Sequence, residues 1–172
     1  LYQQGLPPQA MYVFKHALIQ EAAYQSLLRS TRQRHHQHIA QVLEAHFPER
    51  CETQPDLLAH HYTEAGLLTQ AVPYWQRAGQ RAVHRFAHRE AIGHLTKGLD
   101  LLKALPDTPE HTYQELHLQT ALGPAWMAAK GYAAPEVAQA YGRARALCRQ
   151  LGETSRLFSI LRGLGAFYFV RG

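Results

Sequence analysis

The sequence of 172 residues has few cysteines and no long apolar run. Cys51 and Cys148 are its two cysteines, and they form no C-x-x-C pair. A disulfide scaffold and a cysteine zinc site are therefore not expected, and a reducing, cytoplasmic setting fits best. No stretch reaches the roughly 18 to 20 apolar residues that a membrane helix needs, so a transmembrane protein is not expected either.

The chain also lacks a concentrated charge of one sign. Its 18 Lys and Arg against 13 Asp and Glu give a net charge of +5, spread along the chain rather than massed in one tract. A dispersed excess of this size is a weak indication of nucleic-acid binding. The first residue is Leu1 rather than Met, and Leu1 to Ala10 lacks the basic start and apolar run of a signal peptide. We expect a fragment of something longer, truncated at its C-terminus.

The motifs of common catalytic sites are missing. The sequence contains no G-x4-G-K-[ST], no H-E-x-x-H, no G-x-S-x-G and no aspartate pair of the kind that a nucleotide cyclase uses. Among the twelve histidines, His35 with His38 and His84 with His88 have a spacing that could share a metal ion. No acidic or cysteine ligand stands at a matching distance. The sequence therefore predicts no catalytic residue, no metal and no cofactor in this segment.

What the chain does have is helical periodicity over most of its length. Apolar residues recur at steps of three and four from about residue 16, while proline and glycine fall mostly between these segments. One strand is expected at Met11 to Phe14, after Pro7 and Pro8. Helices are predicted at 16–29, 32–47, 54–65, 70–85, 88–104, 110–130, 135–151 and 154–170. We expect Thr69 to cap the fourth of these and Pro73 to lie in its first turn. Tyr62, Trp75, Phe86 and Tyr141 have the spacing of core residues.

Small residues at repeated positions favour a solenoid of antiparallel helix pairs over an irregular bundle. In a tetratricopeptide repeat, the first helix carries W-x2-L-G-x2-Y and the second carries A-x3-F. Four first-helix matches occur in order: Leu58-Ala59-x2-Tyr62, Trp75-x2-Ala78-Gly79-x2-Ala82, Pro124-Ala125-x2-Ala128 and Leu161-x2-Leu164-Gly165-x2-Tyr168. The first two overlap, because residues 70–85 serve as the second helix of one and the first helix of the other. The predicted fold is all-α, a right-handed solenoid of degenerate tetratricopeptide-like pairs with a short strand near the N-terminus.

A longer stretch resembles one family. Residues 12–28 read YVFKHALIQEAAYQSLL, and later segments read AHHYTEAG from Ala59, AVPYWQRAG from Ala71, EAIGHL from Glu90 and GYAAPE from Gly131. These segments resemble bacterial signalling ATPases of the STAND type, many of which are associated with class III adenylate or guanylate cyclases. The resemblance implies that residues 1–50 hold the end of a winged-helix-like module and a connecting helix. It also implies that residues 51–172 form tetratricopeptide-like repeats.

The resemblance implies a non-catalytic interaction and regulatory module of a cytosolic signalling ATPase or cyclase. Its partner would be a protein, a peptide, another domain of the same chain or a second copy, and no membrane is expected. The alternative is a fragment of a transcription regulator that touches DNA through Tyr12 to Arg34, where Arg29, Arg32 and Arg34 cluster. From the repeat positions, the residues expected to line a binding groove are His60, Thr63, Gln76, Gln80, Trp126 and Lys130. The last helix is expected to pack on Tyr141, Ala144 and Leu147, and to self-associate through Leu161, Leu164, Phe167 and Tyr168.

Overall fold

The computed structural model describes residues 2–4, 11–13 and 16–172, with side chains from residue 16 onward. In this part of the chain, two short strands precede nine helices. The elements are β1 (Tyr2–Gln4), β2 (Met11–Val13), α1 (Ala17–Ser26), α2 (Arg29–His46), α3 (Pro48–Thr53), α4 (Pro55–Glu64), α5 (Leu68–His84), α6 (His88–Leu102), α7 (Pro109–Lys130), α8 (Pro135–Leu151) and α9 (Leu157–Arg171). The strands pair antiparallel, with Tyr2 opposite Val13 and Gln4 opposite Met11. The prediction of an all-α fold is confirmed. The strand predicted at Met11 to Phe14 is present from Met11 to Val13, while Phe14 lies outside the described residues, and β1 was not predicted.

Most helix boundaries follow local signals in the sequence. Proline stands at or next to the first position of α3, α4, α7 and α8, where the missing N–H costs nothing. The hydroxyl of Thr108 caps α7 by accepting from the backbone N–H of His111 at 3.2 Å. Gly152 ends α8 with a φ of 67°, a left-handed conformation that favours glycine.

Other boundaries differ from the prediction. α2 begins at Arg29 rather than residue 32, because Leu27 and Leu28 are extended and break the chain of helical hydrogen bonds. The short helix α3 was not predicted, and α9 begins at Leu157 rather than residue 154. The cap at Thr69 is wrong, since α5 begins at Leu68 with no side-chain cap, and Pro73 lies in the second turn. Tyr62, Trp75 and Tyr141 are buried as predicted, but Phe86 is 82% exposed in the turn between α5 and α6.

The core runs along the helices in chain order. Each helix from α4 to α8 packs on the next one, α2 packs on α4, α5 contacts α7 and α7 contacts α9. Small residues permit these contacts: Leu95 of α6 lies directly against Gly79 of α5, and Leu118 of α7 lies against Gly98 of α6. Tyr141, Ala144 and Leu147 of α8 share a cluster with Ile160, Leu164 and Phe167 of α9, so the predicted α8–α9 packing is confirmed.

None of the helices in the described part of the chain combines the length and the apolar composition that crossing a bilayer requires.

Candidate interaction surfaces

Two open cavities lie side by side where α1 meets α2 and α4, and we call them the N-terminal cavities. Tyr24 of α1 and Glu64 of α4 line both. One has a volume of about 690 Å³, and its other lining residues are Gln20, Glu21, Ala23, Leu27, His36 and His60. The second has a volume of about 640 Å³, and its other lining residues are Gln25, Arg29, Arg32, Gln33, Thr63, Gly66 and Leu68.

A chain of hydrogen bonds links two residues that line these cavities, Tyr24 and His36, to His61. The hydroxyl of Tyr24 lies 3.0 Å from Nε2 of His36, and Nδ1 of His36 lies 2.9 Å from Nδ1 of His61. The ring of His60 stands edge-on to that of His36, with centroids 5.7 Å apart. Since the two Nδ1 atoms face each other, one must carry a proton and the other must not. The contact therefore tolerates one imidazolium but not two.

The electrostatics of the pair follow from burial. Desolvation and the neighbouring His36 and His60 lower the pKa of His61 to about 4, while Glu64 opposes the shift. Desolvation, together with His60 and His35, also lowers the pKa of His36. Both rings are therefore neutral near pH 7. In the described residues, no three histidine, cysteine or acidic side chains are placed to hold one metal ion. His84 and His88 lie on different helices, because α5 ends at one and α6 begins at the other.

α1 is attached to the rest of the chain mainly through Tyr24 and its neighbours. No residue of α1 is buried, and Leu18 and Ile19 are 83% and 55% exposed. The guanidinium of Arg32 lies 5.1 Å from the centre of the Tyr24 ring and donates to Gln25 at 2.8 Å. The guanidinium of Arg32 therefore already has partners within the chain, the ring of Tyr24 and the side chain of Gln25.

A carboxylate that the sequence gave no reason to select joins α2, α4 and α5. Glu44 accepts hydrogen bonds from the hydroxyls of Tyr62 and Tyr74, whose stacked rings lie 5.7 Å apart. Burial, followed by the hydrogen bond to Glu44, raises the pKa of both phenols, and that of Tyr74 reaches about 12. No pattern within a single helix could reveal this cluster, because its members lie 18 and 30 residues apart in sequence.

A second surface, the C-terminal groove, crosses α6, α7 and α8. Its larger part, of about 520 Å³, lies beside the connection between α6 and α7, and its lining includes Lys103, Asp107, His111 and Glu115. Its smaller part, of about 310 Å³, includes Trp126, Glu136 and Gln139. Gln119 and Arg143 line both parts, so the two form one continuous groove.

The charges of Arg143 and of Lys130 beside Trp126 are already paired. Nε and Nη2 of Arg143 donate to the two carboxylate oxygens of Glu115, both at 2.7 Å. Nζ of Lys130 lies 4.8 Å from the centre of the Trp126 ring and donates to Glu136 at 2.5 Å, which lowers the pKa of that carboxyl. Two long side chains are thereby held in place beside a half-buried indole.

The six residues predicted to line one groove divide between these surfaces. His60 and Thr63 line the N-terminal cavities, and Thr63 also accepts from Nε1 of Trp75 at 3.0 Å. Trp126 lines the C-terminal groove, with Lys130 at its edge. Gln76 is half-buried and Gln80 is exposed on α5. One groove shared by all six residues therefore stays a prediction, because a repeat register gives the side of a helix but not which neighbours stand beside it.

The predicted self-association residues of α9 also divide. Leu161 and Tyr168 are 45% and 65% exposed, as the prediction requires. Leu164 and Phe167 are buried against α8, at 6% and 3% exposure, so their assignment to the free surface is wrong. Phe158 and Phe169, at 78% and 88% exposure, belong to that surface instead.

Comparison with known proteins yields one relative. No protein-family profile matches the chain, and no solved structure matches it. The chain is 30% identical over 160 residues to an uncharacterized protein of Rhizobium meliloti (strain 1021). The match covers 92% of this chain but 16% of the relative, so the chain spans a small part of that protein's length.

Proposed function

We propose that this chain is a non-catalytic protein-interaction and regulatory module, a right-handed solenoid of degenerate tetratricopeptide-like helix pairs. The observation that supports the proposal is the order of packing: each helix from α4 to α8 contacts the next one, α5 also contacts α7, and α7 also contacts α9. Contacts limited to near neighbours along the chain are the signature of a stacked array of repeats.

The contacts between alternate helices favour one register of the overlapping sequence matches. If α5, α7 and α9 are the first helices of successive pairs, the matches at Trp75, Pro124 and Leu161 are the correct ones. The match at Leu58 is then a chance overlap. In both complete pairs, a large side chain of the second helix lies against a glycine of the first. Leu95 lies against Gly79, which holds the glycine position of its match, and Tyr141 lies against Gly123, two residues before that position.

The C-terminal groove is where we propose that a peptide binds. The indole of Trp126 offers an aromatic face at partial exposure, a residue type that often dominates binding energy. Gln119 and Gln139 offer amide groups that can pair with the backbone of an extended chain. Because Arg143 and Glu115 already neutralise each other, a peptide can cover these two side chains without leaving either charge unpaired.

We further propose that the module belongs to a larger cytosolic signalling ATPase or nucleotide cyclase. The support is the resemblance of residues 12–28 to STAND-type proteins and the small share of the Rhizobium relative that the chain covers. Both cysteines are free thiols buried in the structure, which suits a reducing compartment.

The proposed peptide site can be tested without a known ligand. The immobilised chain selects binders from a random-peptide phage library, and the enriched peptides are then measured against Trp126→Ala. Phe86→Ala is the control, since it removes an exposed aromatic ring from a turn outside the groove. We expect binding to persist in the control and to fall by roughly tenfold or more in Trp126→Ala. An absence of enriched peptides, or equal binding to both variants, would contradict the proposal.

A further inference from the structure

α9 has two apolar faces, and α8 covers one of them. Ile160, Gly163, Leu164 and Phe167 form the covered face. The second face, which we call the free face, consists of Phe158, Leu161, Gly165, Tyr168 and Phe169. Phe158, Leu161, Gly165 and Tyr168 are separated by three, four and three residues, so they form a continuous stripe along the helix. Large apolar side chains gathered in one exposed stripe mark an interaction surface.

The chain itself shows what such a face receives. On α5, Gly79 lies under Leu95 of the next helix, and Gly165 holds the same position in the repeat match of α9. On α7, Tyr141 of the next helix lies over Gly123, two residues before the equivalent position. In both pairs, the large residue is followed three positions later by a small one, Gly98 or Ala144. On α9, Gly163 is occupied by Tyr141 of the preceding helix. Gly165 is open, because a Cβ placed there would have no described atom within 4 Å apart from its chain neighbours and the backbone of its own helix.

We propose that the free face of α9 is the seat of an amphipathic partner helix, which places a large apolar side chain over Gly165 as Leu95 lies over Gly79. The inference rests on the proposed repeat packing and transfers the α5–α6 interface to α9, because Gly165 and Gly79 hold the same position in their repeat matches. The expected occupant is a helix with the pattern large-x2-small, in which the large residue is leucine or an aromatic residue, as in Leu95 with Gly98 and Tyr141 with Ala144.

Charge adds a second requirement on the occupant. Arg162 is exposed beside the free face and forms no ion pair with the described residues, and α9 contains no acidic residue. A partner with Asp or Glu beside its apolar stripe therefore complements the seat. A second copy of α9 does not, because pairing two free faces places Arg162 of both chains beside the contact with no acid on α9 to neutralise them.

The probe for this seat is a helix taken from the chain. A labelled synthetic peptide with the α6 sequence His88–Leu102 carries the pattern around Leu95 and the acid Glu90. A side-chain link between positions 89 and 93, both exposed in α6, keeps this short peptide helical. The peptide cannot bind to α5 in the place of α6, because α6 of the chain already occupies that surface, so the free face of α9 is the site left open.

Fluorescence anisotropy of the peptide is measured with the whole chain and with two variants. Gly165→Leu fills the seat, and Gly93→Leu is the matched control, since Gly93 is also an exposed helical glycine with open space around it. We expect saturable binding to the parent and to the control. We expect a loss of at least about tenfold with Gly165→Leu, and the same loss when the peptide carries alanine in place of Leu95.

Three results would overturn the inference. They are no binding up to about millimolar peptide, equal binding to parent and Gly165→Leu, or an α9-mediated dimer that the peptide cannot displace. The last result would identify a second copy as the occupant. Failure here, with Trp126-dependent peptides still recovered in the phage selection, would leave the proposed function standing.

Discussion

The ring of Tyr141 lies so close to Gly163 that a Cβ at position 163 would overlap the Cε2 and Cζ atoms of the ring. The same ring lies equally close to Gly123 on its other side, so one aromatic residue of α8 is held between glycines of α7 and α9. This arrangement sets the distance between three helices and therefore the position of both the C-terminal groove and the free face of α9.

Gly163→Ala should destabilise the chain by about 1–3 kcal/mol, because the added methyl group must displace Tyr141 or separate α8 from α9. Gly165→Ala on the same helix is the control. Its Cβ meets open space, so the better helix propensity of alanine should leave stability unchanged or raise it by up to about 1 kcal/mol. Urea unfolding followed by circular dichroism measures both. Equal destabilisation by the two variants would contradict the described packing.

The Glu44 cluster gives a second prediction. Glu44→Ala should lower the free energy of unfolding by about 1 kcal/mol, since it removes the acceptor of two tyrosine hydroxyls at a solvent-exposed position. Glu44→Gln keeps one acceptor oxygen and should lose less. Glu49→Ala, an exposed residue of α3, serves as the control and should change little. If Glu44→Ala matched the control, the two hydrogen bonds would contribute nothing to stability.

The pair His36 and His61 predicts a dependence of stability on pH. The pKa of His61 is about 4 in the folded chain and about 6.5 in the unfolded chain, where neither burial nor His36 acts on it. As pH falls below about 6.5, the unfolded state binds a proton that the folded state refuses, so stability falls until about pH 4 and then levels off. His36 contributes in the same direction.

This dependence is measured by urea unfolding between pH 7.5 and pH 4.5, values chosen to lie about one unit above and two units below the unfolded pKa. His61→Gln should reduce the loss of stability over that interval, because glutamine does not titrate. His46→Gln, at an exposed histidine at the end of α2, should leave the loss unchanged. An identical pH profile for parent and His61→Gln would show that His61 titrates normally.

The missing phosphate-binding loop predicts that the chain alone does not use ATP. We expect neither saturable binding in calorimetry nor phosphate release above background, because no glycine-rich loop with a following lysine is present to cradle phosphates. Saturable ATP binding at millimolar affinity or tighter that a single substitution removes would contradict the non-catalytic proposal.

The helices were largely predictable, and the sites were not, for a physical reason. Helix positions follow from local periodicity and from prolines such as Pro109 and Pro135, which act within a few residues. The break at Leu27 and Leu28 carries no glycine or proline, so nothing local marks it. The contacts of His36 with His61 and of Glu44 with Tyr74 join residues 25 and 30 positions apart. Such contacts depend on how helices stack, which periodicity within one helix cannot determine.

The two apolar faces of α9 were also only partly predictable from the sequence. The apolar content of residues 154–170 correctly predicts that one side packs on Tyr141 and that another stays open. Six apolar residues around one helix do not indicate which side is which, and Leu164 and Phe167 were therefore assigned to the wrong face. Gly163, rather than any large residue, determines which face of α9 is covered, because the ring of Tyr141 packs directly against it.

The chain should self-associate through the free face of α9, and the affinity of this association should depend on the salt concentration. With no partner helix bound, the free face exposes Phe158, Leu161, Tyr168 and Phe169, so two chains can shield part of this surface from water. Opposing this, α9 carries Arg162 and Arg171 and no acid, so two copies repel. Raising the salt concentration from about 0.05 M to about 0.5 M should screen the repulsion and increase the fraction of dimer.

Light scattering over a concentration series measures this association. The double variant Phe158→Glu with Phe169→Glu should remain monomeric at both salt concentrations, because four carboxylates would enter the contact of two chains. Leu18→Glu is the matched control, since it places one charge on an equally exposed apolar position of α1, and it should associate like the parent. A parent that stays monomeric at high concentration would contradict the prediction. Dissociation by Leu18→Glu alone would place the contact on α1 instead, because only a contact that contains position 18 is disrupted by a charge there.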